Sequence, residues 1–500
     1  MQKNVLEYLE ETVKRFPDKT AFSDGTCDIS FSELYSDAQS VGSFIAKAGF
    51  YGEPVAIMMD KHPKTMAAFF GVAYAGCFYA CIDEKMPHAR IFAIFEKLQP
   101  NVLICDRKNE VTARSLGVTN VYVYEQICNF GIDRDALDRI RNSQSSTDPL
   151  YVAFTSGSTG IPKGVVACHR SVIDYAEAIC GALDFSEKTV FGNQTPLYFD
   201  APLKEILPTI KLGATTYFIP KMNFSFPVKL IEYLDKYRIN TICWVVSALV
   251  QISSLGALES HVPKYLRTVA FGSELFPKNQ YDIWRKALPD VTFYNLYGPT
   301  EATGMSCYWK ADRELEDGEA IPIGRPFDNT DVILIDDELK RADRGEIYIR
   351  GTCLTMGYYN DPEKTDSVFV QNPLNRAYPE LVYKTGDIGE INAHGELVFI
   401  CRKDSQIKHM GHRIELGEVE TAANRCEGVR TACCVYDGEA KRIVLFVTGD
   451  ISENVLLDTL KTYLPRYMLP AKTEVLSELP HTANGKIDRK TLKEKAEKEL

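Results

Sequence analysis

The chain has 500 residues, too many for one ordinary core and enough for two to four domains. Its 45% hydrophobic and 25% charged residues are those of a globular protein, not of a disordered or fibrous one. A net charge of −11 argues against broad nucleic-acid binding, which needs a basic face, while leaving room for a local basic pocket that holds a nucleotide.

The N-terminal stretch MQKNVLEYLEETVKRF is broken by charges and does not read as a signal peptide. Val5, Leu9, Val13 and Phe16 fall at helical spacing and predict a docked amphipathic helix. KTMAAFFGVAYAGCF (64–78) predicts a buried helix ending near Gly76. YVAFT (151–155), TYFIP (216–220), NTICWVV (240–246) and RTVAFG (267–272) predict short buried strands, and the alternation implies α/β layers. Beyond residue 320, DVILID, GEIYIRG and GELVFIC predict a smaller β-rich subdomain. RIELGEVETAANRC (413–426) predicts an amphipathic helix, RIVLFVTG (442–449) a strand, and NVLLDTLKTYL (454–464) a helix stopped by Pro465. The charged run CRKDSQ (401–406) marks a boundary, with domains over 1–403 and 404–500. No apolar run approaches the roughly 20 residues that span a bilayer, so a cytoplasmic protein without membrane insertion is expected. The 14 cysteines include no CxxC pair and predict buried reduced thiols.

FTSGSTGIPKGVV (154–166) carries the first chemical signal. Gly157 and Gly160 allow backbone angles that let successive N–H groups converge on an anion. Thr155, Ser156, Ser158 and Thr159 add hydroxyl donors, and Lys163 adds a positive charge. The set suits a polyphosphate, but a Walker loop fits poorly because Pro162 precedes Lys163 and Gly164 follows it. In YNLYGPTEAT (294–303), Tyr297 can stack on a purine, Asn295 can bond an adenine amino group, and Glu301 offers a carboxylate for Mg²⁺ on phosphate oxygens. In YKTGDIGEI (383–391), Asp387 can accept both hydroxyls of a ribose, which Arg402 can also contact. TANGKIDRK (482–490) places Lys486 in a tight turn.

These segments, in this order, resemble the adenylate-forming enzymes. Within them the chain is most similar to amino-acid adenylation domains, the activating units of nonribosomal peptide synthetases and of D-alanine–carrier protein ligases. The resemblance covers essentially the whole chain. It implies an α/β N-terminal domain with a β-rich subdomain, and a small mobile α+β C-terminal domain. It implies ATP and Mg²⁺, with Thr155, Ser156, Gly157, Ser158, Thr159, Gly160, Lys163, Gly272, Asn295, Tyr297, Gly298, Thr300, Asp387, Arg402 and Lys486 at the nucleotide. Lys486, Lys163 and Glu301 would be catalytic, Glu301 would ligate the metal, and Asp404 would be the hinge. The reaction implied forms an aminoacyl-adenylate, releases pyrophosphate, and passes the acyl group to the phosphopantetheine thiol of a separate carrier protein. The ligase is expected to be a monomer.

YFDAPLKEI (198–206) locates the amino-acid pocket by the same resemblance. Asp200 falls where amino-acid-activating members hold the α-ammonium, and fatty-acid and aryl-acid relatives generally lack it. Ala201, Lys204, Ser247, Val269, Phe271, Leu296, Gly304 and Met305 would line the rest. Lys204 is the polar exception. It either pairs with an acidic side chain of the substrate, or with Asp200 or Glu205, and small residues including alanine of either hand stay open. Two positions depart from the family pattern: Cys401 replaces a glycine before Arg402, and Pro202 removes a donor after Ala201. The alternatives are an acyl-CoA ligase and a non-catalytic nucleotide-binding homologue.

Overall fold

The computed structural model describes residues 2–157, 161–316, 319–403, 406–480 and 487–498. The chain divides into two compact units. The first comprises Met1–Glu84, Gln99–Ala153 and Val165–Cys401, and the second Lys85–Leu98, Phe154–Gly164 and Arg402–Leu500.

The first unit is layered α/β. Its largest sheet has nine strands, with Thr292–Tyr297, Thr268–Gly272, Thr241–Val245, Val190–Asn193, Thr215–Phe218 and Thr20–Ser23 adjacent in that order and parallel. Parallel strands need crossovers that cover both faces, so they are buried on both sides and read as continuous apolar runs. Thr241–Val245 is buried at every position. One face joins a core with Cys243, Ala270, Tyr294 and Leu296, and the other joins a second core with Trp244, Val269, Phe271 and Phe293. A six-stranded sheet contains Pro54–Met58, Phe78–Cys81 and Pro149–Thr155. In a five-stranded sheet, Arg344–Gly351 pairs antiparallel with Thr330–Ile335 on one side and with Leu381–Ile391 on the other.

Local sequence explains where helices begin and end. Phe31–Lys47 starts on a capping box, in which Ser30 and Glu33 satisfy each other's backbone N–H. Pro63–Tyr74 starts on proline and is followed by Gly76 at φ +71°. The N-terminal helix is Leu6–Arg15, with Leu6 and Leu9 buried. Leu203–Leu212 ends on Gly213 in the left-handed region. Pro202 precedes that helix at φ −62°, where no intrahelical donor is required, so its missing N–H is harmless. Cys401 lies in the strand Leu397–Arg402, outside the positive-φ residues, so glycine is dispensable there.

In the second unit, Val429–Asp437 pairs antiparallel with Arg442–Gly449, which pairs parallel with Lys472–Leu476. Helices Leu416–Ala423, Glu453–Tyr463 and Arg489–Lys498 accompany this sheet. The helix predicted from Arg413 begins only at Leu416. Residues 413–415 are instead spent on a hairpin, with Ile407 opposite Ile414 and Gln406 opposite Glu415. No helix among the described residues is long and apolar enough to cross a membrane.

Candidate functional site

Asp200 lies in the turn before Leu203–Leu212, where its carbonyl accepts the Leu203 N–H at 3.0 Å. Desolvation pushes its carboxyl above the ordinary aspartate range. A hydrogen bond from the Thr300 side chain and the charge of Lys204 oppose this, and Glu301 adds to it. The turn therefore brings the amino-acid motif and the YGPTE motif together through side chains far apart in sequence. A buried anion is costly unless a cation offsets it, and Lys204, whose charge also acts on Glu205, is a cation that acts on Asp200.

The nucleotide motifs of the first unit converge around the strand Thr292–Tyr297. The Asn295 amide donates to the carbonyl of Pro322 at 2.8 Å, which fixes its plane. The Tyr297 hydroxyl donates to Asp387 Oδ2 at 2.5 Å. Burial, and then Asp387, push that phenol far above its usual range, so it stays protonated as a donor. Backbone approaches explain the glycines. A Cβ on Gly272 would lie 2.3 Å from the Leu296 carbonyl oxygen, and one on Gly298 would lie 2.5 Å from Met305 Cα. Glu301 is fully buried. Its Oε1 accepts the Tyr358 hydroxyl at 2.6 Å, and its carbonyl accepts both the N–H and the hydroxyl of Thr355. Among the described residues no three His, Cys, Asp or Glu gather as a metal cage. One fixed carboxylate fits Mg²⁺, which is held largely by substrate phosphates and water.

Leu296 and Met305 line the first core, together with Leu197, Leu203 and Ile206. Gly304 sits at φ +87°, and a Cβ there would come within 3.1 Å of the Tyr175 ring. The Ser247 N–H is held by Glu274 Oε2 at 2.7 Å. Ala201 is half-buried beside Asp200. Strand alternation turns Val269 and Phe271 into the second core, where the Phe271 ring meets Phe276 at 5.0 Å. This sets both apart from Leu296 and Met305. Lys204 is 3% exposed, and its charge acts on both Asp200 and Glu205.

The second unit carries the start of the TSGSTG loop. Ser156 Oγ donates to the Arg413 carbonyl at 2.7 Å and accepts the Glu415 N–H at 3.2 Å. The Thr155 hydroxyl is buried with no hydrogen-bond partner. A Cβ on Gly157 would lie 2.0 Å from the Ile161 carbonyl oxygen. Lys163 is buried at the start of the strand Lys163–Cys168, and Arg402 ends the strand Leu397–Arg402. Ser158, Thr159, Gly160, Asp404 and Lys486 lie outside the described residues.

Three residues near Asp200 and Glu205, namely Tyr151, Tyr175 and Lys61, escaped the sequence reading. The Tyr151 and Tyr175 hydroxyls are buried without partners, and Asp200 acts electrostatically on both. Glu205 is fully buried, and Lys61 donates to the carbonyls of Asn193 and Gln194 at 3.1 and 3.0 Å. Glu205 left a signal, a second charge inside the otherwise apolar run LKEILPTI. The tyrosines left none.

A family model described as "AMP-binding enzyme" matches residues 9–359, and one described as "AMP-binding enzyme C-terminal domain" matches residues 418–486. Malpibaldin synthetase of Mortierella alpina is 32% identical over 509 residues, covering 99% of this chain and 9% of that protein. The adenylation domain AlmE of Vibrio cholerae, solved in complex with glycyl-adenosine-5'-phosphate, superposes with a TM-score of 0.86 at 21% identity, covering 99% of this chain and 98% of that one. Holo-PA1221, an NRPS protein containing adenylation and PCP domains, gives a TM-score of 0.83 at 22% identity, covering 98% and 84%. At these identities the two structures show a shared fold. The chain spans 6% to 44% of the length of the curated relatives it matches.

Proposed function

The chain belongs to the AMP-binding enzyme family, and we propose that it activates an amino acid as its adenylate and hands the acyl group to a carrier thiol. A carboxylate oxygen of the amino acid attacks the α-phosphorus of ATP, the bond to pyrophosphate breaks, and pyrophosphate leaves. A phosphopantetheine thiolate then attacks the carbonyl of the mixed anhydride, and AMP leaves. The observation that carries the reading is Asp200, a desolvated carboxyl hydrogen-bonded by Thr300 of the YGPTE motif. Its role is to hold the α-ammonium. In this reading Tyr297 stacks on the purine, and its hydroxyl fixes Asp387, which accepts the ribose hydroxyls. Lys163 and the loop hydroxyls are the phosphate ligands in this reading. Glu301 is the residue that would hold Mg²⁺, which neutralises phosphate charge as the transition state spreads it. The PCP domain of holo-PA1221 supports a carrier as the thiol acceptor. A fatty-acid substrate would bring no ammonium to Asp200, leaving the charge of Lys204 to offset it.

ATP–pyrophosphate exchange with panels of amino, fatty and aryl acids tests this. Mg-dependent exchange that requires an amino acid is expected, and exchange driven only by fatty or aryl acids would refute the proposal.

Lys204 refines the substrate. It is a buried cation, next in sequence to a buried carboxyl and one helical turn from Asp200, and the neighbouring wall of Leu296 and Met305 is apolar. An amino acid with an acidic side chain matches it. Lys204→Leu is expected to shift preference toward neutral amino acids by about tenfold or more, the scale of a hydrogen-bonded charge. A wild-type preference for alanine or another apolar residue would rule this refinement out.

A further inference from the structure

Glu205 is fully buried on the helix Leu203–Leu212. One of its oxygens, Oε2, accepts the Asn193 amide at 3.4 Å. Its other oxygen, Oε1, has no hydrogen-bond partner, and neither does Asn193 Oδ1, which is buried too. The two orphaned atoms thus belong to the same two side chains that already share one hydrogen bond. Both are acceptors if Glu205 is ionised, and two buried acceptors cannot satisfy each other. A single proton on Oε1 would convert the pair into a cyclic acid–amide pair, with the amide N–H donating to Oε2 and the acid O–H donating to Oδ1. If the amide is turned over, the same single proton is still needed.

The groups facing Glu205 come from every element around it. Lys204 is its chain neighbour, Lys61 follows the strand Pro54–Met58, Cys243 lies on Thr241–Val245, and Tyr175 lies on His169–Ala182. Lys61 spends its hydrogen bonds on the carbonyls of Asn193 and Gln194, not on the carboxyl. A buried carboxyl with one oxygen unpaired, and the other held by a neutral amide, is driven toward its neutral acid. Consistently, burial pushes Glu205 up to about 8, even against the pull of Lys204, Asn193 and Lys61.

We infer that Glu205 is a positioning residue, held as a neutral acid against Asn193 so that the charge of Lys204 stays available to the substrate's side chain. This rests on the amino-acid reading above. Before substrate binds, Asp200 is the anion nearest in sequence to Lys204 that can balance it. Once the substrate ammonium takes Asp200, Lys204 needs a new anion. An ionised Glu205 would supply it from the protein and remove the preference for an acidic side chain. A protonated Glu205 leaves that place to the substrate.

Infrared difference spectra between wild type and Glu205→Gln test the proton directly. A carboxylic-acid carbonyl band is expected in wild type at neutral pH. It should be absent in the variant and should fade as pH rises through about 8. Asn193→Ala, a second variant, should move the band to higher frequency, because the acid O–H loses its acceptor. In parallel, the ratio of kcat/KM for glutamate over glutamine should fall about tenfold as Glu205 ionises in wild type, and its pH dependence should vanish in Glu205→Gln. Absence of the band at neutral pH overturns the inference whatever the substrate. A titrating band with a pH-independent ratio overturns the action through Lys204. A titrating band in a protein that activates only apolar amino acids keeps the acid–amide pair and sinks the acidic-substrate reading, so the two failures are distinct.

Discussion

Asp200→Ala should lower kcat/KM for the amino acid by at least about two orders of magnitude, while ATP binding changes little. Leaving a buried charge unpaired costs roughly 3–5 kcal/mol, and in the variant the unpaired charge is the substrate's own ammonium. The nucleotide side is spared because the Tyr297–Asp387 and Glu301–Tyr358 hydrogen bonds do not involve Asp200. The Thr300 side chain loses a partner, so a small secondary effect on ATP is expected from that position alone. The same logic gives a pH dependence. Desolvation raises the carboxyl, so activation falls as pH drops through that raised value, because the protonated acid no longer attracts the ammonium. Steady-state exchange kinetics with amino acid and with ATP varied in turn check both parts. An unchanged specificity constant for the amino acid would remove Asp200 from the pocket.

Lys486→Ala should abolish adenylate formation yet spare transfer from a preformed adenylate. Bonds are made and broken at the α-phosphorus only in the first half-reaction, whereas the second breaks the bond from the carbonyl carbon to AMP, and preorganised charge at the reacting phosphoryl group contributes several orders of magnitude in rate. Lys486 and Asp404 lie outside the described residues, so this expectation rests on their motifs, NGKIDR and R-x-D-x-Q-I-K. The two half-reactions address one carbonyl in turn, so the segment carrying Lys486 is expected to be repositioned between them, with Asp404 as the pivot. Asp404→Pro should therefore show the reverse pattern, with adenylation largely kept and transfer slowed, because proline fixes φ. Rapid-quench assays of each half-reaction on each variant decide. Equal loss of both half-reactions in both variants would refute the pivot.

The sequence alone determined what is local. The buried helix ending near Gly76, the apolar strand at 240–246 and the helix before Pro465 follow from periodicity and stop signals within a dozen residues, and the structure has each of them. The order of TSGSTG, YGPTE, YKTGD and NGKIDR pointed to adenylate chemistry through its resemblance to the adenylate-forming enzymes. Other features depended on partners far away in the chain. Arg413–Glu415 carries a helical pattern but pairs as a strand, because a hairpin partner and Ser156 take its backbone groups. Alternation along Thr268–Gly272 assigns Val269 and Phe271 to one face, but only the packed layers decide that this face meets the second core. Charge behaves likewise. The letters F-D-A-P-L-K-E contain two acids and one base, and nothing in them says which is ionised. Thr300 on Asp200, Asn193 on Glu205 and the burial of both carboxyls set that, because a proton's affinity depends on solvation and neighbours that only the tertiary structure brings together.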